Sequence, residues 1–211
     1  MSVATAPADV DAAATPSAAA SHPPARRFAA SLREAVPHGG TLPIDQWQRR
    51  HNAIIALLAV HSIAIWFYAL VRGLGPFHAT LEALAVASFG VIAYRLARTN
   101  RTASAAAASA GLLTASALLV HVSGGFVEFH FHFFVMIGII ALYEDWVPFA
   151  VAVAYVALHH GVVGTWAPEL VYNHPDALAH PWKWAAIHAA FVLAASVVSI
   201  VAWRQNERSR A

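Results

Sequence analysis

The chain has 211 residues, 59% of them hydrophobic and only 11% charged, against about 45–50% and about 25% in ordinary soluble domains, which excludes a water-soluble globule and points to a multi-pass membrane protein. With no cysteine, disulfide frameworks, thiolate metal sites and cysteine nucleophiles are excluded. The net charge is only +2 and the basic residues are scattered between apolar runs, which argues against nucleic acid as a partner, while the 13 histidines equal Lys and Arg together.

Residues 1–44 are rich in Ala, Pro and Ser, a composition that cannot bury enough apolar surface to offset the entropy of ordering, and are expected to be a disordered tail. No Leu/Val-rich run follows Arg26 and Arg27, so a secretory signal is not predicted. Pro43 and Asp45 mark a helix start, with Asp45 placed to cap. A charge at mid-bilayer costs at least a few kcal/mol, so the charges delimit the spans. They predict an all-α integral membrane bundle over 45–203, with six transmembrane helices near 52–71, 77–95, 103–122, 126–143, 147–166 and 184–203. The second span carries Glu82; the third is rich in Ala, Ser and Gly, which lets helices approach closely. Glu144 and Asp145 read as a solvated helix end, and 204–211 as a short cytoplasmic tail.

Six spans place both termini on one side. Of the 13 basic residues only Arg72 and Lys183 then fall opposite, leaving 11 on the side of the termini, so both termini are expected to be cytoplasmic and the protein to lie in the inner (plasma) membrane. Trp47, Trp146 and Trp203 are expected at the inner interface, and Trp66, Trp166, Trp182 and Trp184 toward the outer one.

At ~1.5 Å of rise per residue, His78, His121, His130, His132, His159, His160 and His188, from five helices, fall within about the outer 10 Å of the bilayer. Glu82 is four residues from His78, and Glu128 four from His132, spacings that put carboxylate and ring on one helix face. Such a carboxylate either neutralises a proton or orients a ligating ring. His121, His130, His132, His159 and His188 are the expected cofactor ligands; His78, His160, Glu82 and Glu128 complete the candidate metal set. His130 and His132 point about 200° apart on a helix, so one binds or the span opens with a non-helical turn. His61 is read as a packing residue, and His22, His38 and His51 as incidental. The loop 167–181, stiffened by Pro168, Pro175 and Pro181, is expected to cover the cluster with His174, Asp176 and His180 facing inward.

Imidazole-rich sites without sulfur suit zinc, copper, iron or nickel. Two facing histidines could equally clamp the iron of haem b, with Phe126, Phe129, Phe131, Phe133 and Phe134 lining its faces. A proton-coupled site also fits these residues.

The motifs WQRRH (47–51), HVSGG (121–125), EFHFHFF (128–134), ALYEDW (141–146), LHH (158–160), YNHP (172–175) and HPWKW (180–184) give residues 47–203, about three quarters of the chain, a family likeness. The region resembles the multi-pass membrane input domain at the N-terminus of bacterial diguanylate cyclases, histidine kinases and chemotaxis-type receptors. That resemblance implies sensory input across the membrane. Only 204–211 follow the last span, so output is expected in trans through a cytoplasmic signalling protein, with a homodimer as a further arrangement. A sensory or ligand-binding module is therefore the leading expectation, and an enzyme the lesser one. A membrane oxidoreductase using the same centre and a metal or proton transporter are the alternatives.

Overall fold

The computed structural model describes residues 35–210, which from Val36 onward form one unit; most of the tail expected over 1–44 lies outside the described residues. The described residues are helical, with no strand among them. Five helices are long and apolar enough to cross a membrane: α1 (Ile44–Val71), α2 (Pro76–Leu96), α3 (Arg101–Ser123), α5 (Trp146–Trp166) and α7 (Pro181–Arg210). The fourth expected span, near 126–143, is a shorter apolar helix, α4 (Val127–Ala141), of 15 residues. At 1.5 Å per residue it reaches about 22 Å, short of the ~30 Å hydrocarbon thickness. A short helix, α6 (Pro175–Ala179), lies in the loop before α7.

Local chemistry sets the helix ends. The α3 start is capped by Asn100, whose side chain accepts from the Ala103 amide at 2.9 Å, and the α5 start by Asp145, which accepts from the Val147 amide at 3.0 Å. Pro76 opens α2 where its missing N–H costs nothing. Asp45 does not cap α1; that position falls to Pro43, which makes no side-chain cap. Asp45 instead sits in the first turn and pairs with Arg49 at 2.9 Å.

The third span is the hub. Of its most apolar stretch 56% is buried, against 22% for α7, and it packs against α1, α2, α4 and α5. Small side chains permit this: a Cβ on Gly111 would lie 2.6 Å from Phe89 Cβ and 3.0 Å from Leu58 Cδ2. Lipid gives helices no hydrophobic reason to associate, so close van der Waals contact has to hold them. The seventh helix docks on α4 and α5 from the other side.

The two ends of the bundle differ in composition as the charges predicted. At the arginine-rich end Trp146 and Trp203 are in contact, with ring centroids 4.8 Å apart. Glu144, expected to be solvated, is here 1% exposed. It bonds Arg50 at 2.9 Å and Asn206 at 3.2 Å, and pairs with Arg210. Two helices, α1 and α7, bring cationic or polar groups to one carboxylate, and that convergence depends on lateral packing. Glu207 is likewise buried, accepting the His38 and Gly39 amides, each at 2.9 Å. His51, read as incidental, is buried against Trp47, bonded to Tyr143 at 2.8 Å and to Ser104 at 3.1 Å. Residues 36–43 thereby fasten to the helices, with the Trp146 indole donating to the Pro37 carbonyl at 3.1 Å.

Candidate metal centre

The histidine-rich end gathers the site residues, but in separate groups. The most enclosed contains His130 of α4, His160 of α5 and His188 of α7, all buried. Their ring centroids lie 5.3, 5.0 and 4.9 Å apart, and one candidate ligand atom from each falls within 4.8 Å of the others.

The same local device orients all three rings. His130 Nδ1 bonds the Phe126 carbonyl at 3.2 Å, His160 Nδ1 the Val156 carbonyl at 3.1 Å, and His188 Nδ1 the Trp184 carbonyl at 2.8 Å. Helical side chains lean toward the N-terminus, so each ring lies over the carbonyl four residues back. A carbonyl can only accept, so each Nδ1 carries the proton and, in a neutral ring, each Nε2 keeps its lone pair. Nε2 of His130 and of His160 is buried without a hydrogen-bond partner among the described residues.

A π-helical turn over His159–Val163 interrupts α5 where its histidines occur. Such turns add a residue to the helix and re-aim side chains, and they concentrate at functional sites. Here His160 joins the group, whereas His159 faces Phe133 with centroids 5.2 Å apart.

The loop after α5 closes over the rings. Tyr172 stacks parallel to His130, 5.9 Å between centroids and 3° between planes. Gly125 makes this approach feasible: its φ is +82°, and a Cβ there would lie 2.7 Å from the Tyr172 carbonyl carbon. The loop therefore covers the cluster as expected, but the groups it buries are Val171, Tyr172 and Ala177. His174 and His180 are exposed, and Asp176 is held outward by Lys183 at 2.7 Å and the Trp184 indole at 2.9 Å. Those contacts, Lys183 foremost, keep the Asp176 carboxyl below its ordinary pKa. Burial pushes the Tyr172 phenol up to about 12, so it remains protonated. An apolar crevice of about 360 Å³ between α5 and α7 has His160 and His188 in its wall.

The remaining candidates lie elsewhere. His121 comes together with His78 and Glu82. His132 pairs through Nε2 with His61 Nε2 at 2.9 Å and through Nδ1 with the Ser116 hydroxyl at 2.7 Å. Glu128, expected to hold His132, is exposed; Ser116 of α3 takes that place because His132 turns toward α3 and α1. His61, read as a packing residue, thus belongs to a polar pair. The five-ligand set of His121, His130, His132, His159 and His188 is therefore not assembled in one place. Sequence spacing signalled the His78–Glu82 pair, four residues apart on one helix, but not the other partnerships, which join residues from different helices.

Membrane-length helices around a buried polar group define a multi-pass helical membrane protein. The chain is similar to Transducer protein Htr8 of Halobacterium salinarum, with 37% identity over 188 residues, 84% of this chain and 29% of the relative. It thus spans less than a third of that protein's length. No family model matches the chain, and no solved structure matches it significantly.

Proposed function

We propose that the chain is a membrane sensory module of the transducer type, in which His130, His160 and His188 hold a transition-metal ion, either free (zinc, copper or iron) or as the iron of a haem. The observation that carries this reading is the shared Nδ1 tether to a carbonyl in all three rings, with two buried Nε2 atoms unpartnered. Metal-bound histidines are held by this kind of bond from the second ring nitrogen. Metal–imidazole bonds of about 2.0–2.1 Å put two nitrogens on one ion at most about 4.2 Å apart, so a group within 4.8 Å needs only a small closure. The donor set, three imidazoles with no sulfur, suits zinc, copper or iron. When bound, the metal supplies a Lewis-acidic or redox centre.

The protein's part is to orient and cover the rings, with Tyr172 of the loop stacked on His130. His188 and Arg210 belong to one helix, 22 residues or about 33 Å apart. A shift of His188 is thus passed along α7 to the Arg210–Glu144 pair at the arginine-rich end. By the positive-inside rule that end faces the cytoplasm of the inner membrane. A signalling partner acting there fits the similarity to a transducer. Purification in mild detergent, followed by metal analysis and an absorption spectrum, tests the reading. Stoichiometric metal or haem that is lost in His160→Ala is expected; protein that neither retains nor takes up metal or haem would sink it.

A further inference from the structure

The second group at the histidine-rich end has a different construction. Glu82 of α2 is 7% exposed. Its Oε1 lies 2.9 Å from His78 Nε2, one turn back on the same helix, and 3.7 Å from His121 Nε2 of α3. Its other oxygen, Oε2, is buried with no hydrogen-bond partner among the described residues. The two imidazoles are not buried: their side chains are 48% and 39% exposed. One ligand atom from each of the three residues falls within 4.8 Å of the others.

We infer that His78, Glu82 and His121 form a second cation site, separate from the trihistidine group, that takes an exchangeable divalent ion of the zinc class from the histidine-rich surface. Two imidazole nitrogens and one carboxylate oxygen are a recognised three-ligand set for zinc, leaving a fourth position for water. A buried carboxylate at membrane depth is costly unless a cation compensates it. Among the described residues, one oxygen here is approached by the two rings, and the second has no hydrogen-bond partner. A divalent ion would satisfy both the carboxylate and the two ring nitrogens, and would join α2 to α3 at their histidine-rich ends.

One feature makes this site exchangeable: its rings are half-exposed, so the ion reaches it from the histidine-rich surface. The inference does not depend on the trihistidine reading, since it uses none of those residues.

The test titrates metal-free full-length protein in detergent with Zn²⁺ by equilibrium dialysis, in the His160→Ala background so that the enclosed site is disabled. One equivalent of zinc is expected there. Glu82→Gln in that background should abolish it, and His78→Ala or His121→Ala should weaken it by at least about tenfold, the lower bound seen even for groups one shell further from a metal. Helical circular dichroism and gel filtration check folding. If Glu82→Gln fails to fold, the exposed His78→Ala decides. Zinc binding unchanged by these substitutions, or no zinc bound in the His160→Ala background, overturns the inference. Zinc lost on Glu82→Gln while wild-type protein retains nothing at the enclosed group would sustain this site and sink the trihistidine one.

Discussion

The two ends of the bundle treat buried polar groups in opposite ways. At the arginine-rich end Glu144 and Glu207 are buried, and both are surrounded by donors. Of the six buried side-chain atoms without a hydrogen-bond partner among the described residues, five belong to Glu82, His130, His159, His160 and Tyr172 at the histidine-rich end; the sixth is Ser196 Oγ. An unsatisfied buried polar atom costs about 1–3 kcal/mol, so a cluster of them asks for a ligand. The contrast teaches that the arginine-rich cluster completes the fold, whereas the histidine-rich one leaves donor atoms for something outside the chain.

The sharpest test of that contrast removes one group from each end. Glu144→Ala would leave the partly exposed Arg50 and Arg210 facing each other, and is expected to destabilise the protein by about 3 kcal/mol, the low end for a broken buried pair. His160→Ala in metal-free protein should cost less, because it removes the Nδ1 bond to Val156 but also an Nε2 that has no hydrogen-bond partner among the described residues. Unfolding in detergent measures both; equal costs would break the comparison. A ligand-linked effect comes next. In the Glu82→Gln background, saturating metal at about 100 times its Kd should stabilise the protein by about 2.7 kcal/mol, read as a raised Tm, and adding His160→Ala should abolish that shift. A Tm shift of equal size in both would place the ion elsewhere.

Smaller effects refine the picture. Tyr172→Phe deletes a buried hydroxyl without a partner and should change metal-free stability by less than about 1 kcal/mol, whereas Tyr172→Ala, which loses the stack on His130, should speed metal loss. Metal retention unchanged in Tyr172→Ala would show that the loop is not a cover. The weakest effect is that of pH on the loop. The Asp176 carboxyl is held below its ordinary value of 3.8, so its tether is fully present above that pH and is lost as pH falls through the lowered value. Proteolysis of 167–181 in reconstituted protein should accelerate only below about pH 4.

The sequence by itself determined the all-helical class, the approximate spans, and the sorting of tryptophans, arginines and histidines by end. Charges and glycines at span ends act through one-dimensional physics: the cost of charge in hydrocarbon and ~1.5 Å of rise per residue fix depth without knowledge of neighbours. Depth placed His78, His121, His130, His160 and His188 at one end. Which of them meet is a lateral question, decided by how α1, α2, α4 and α5 surround α3 and how α7 docks on α4 and α5. Lipid-facing and bundle-facing sides of these helices are both apolar, so periodicity does not say which face turns inward. Tertiary structure therefore decided that His160 rather than His159 joins the enclosed group through a π turn, that His132 pairs with His61 and Ser116 rather than Glu128, and that Glu144 is buried. The Nδ1 tether was equally hidden, because every helical residue has a carbonyl four places back and only ring orientation reveals its use.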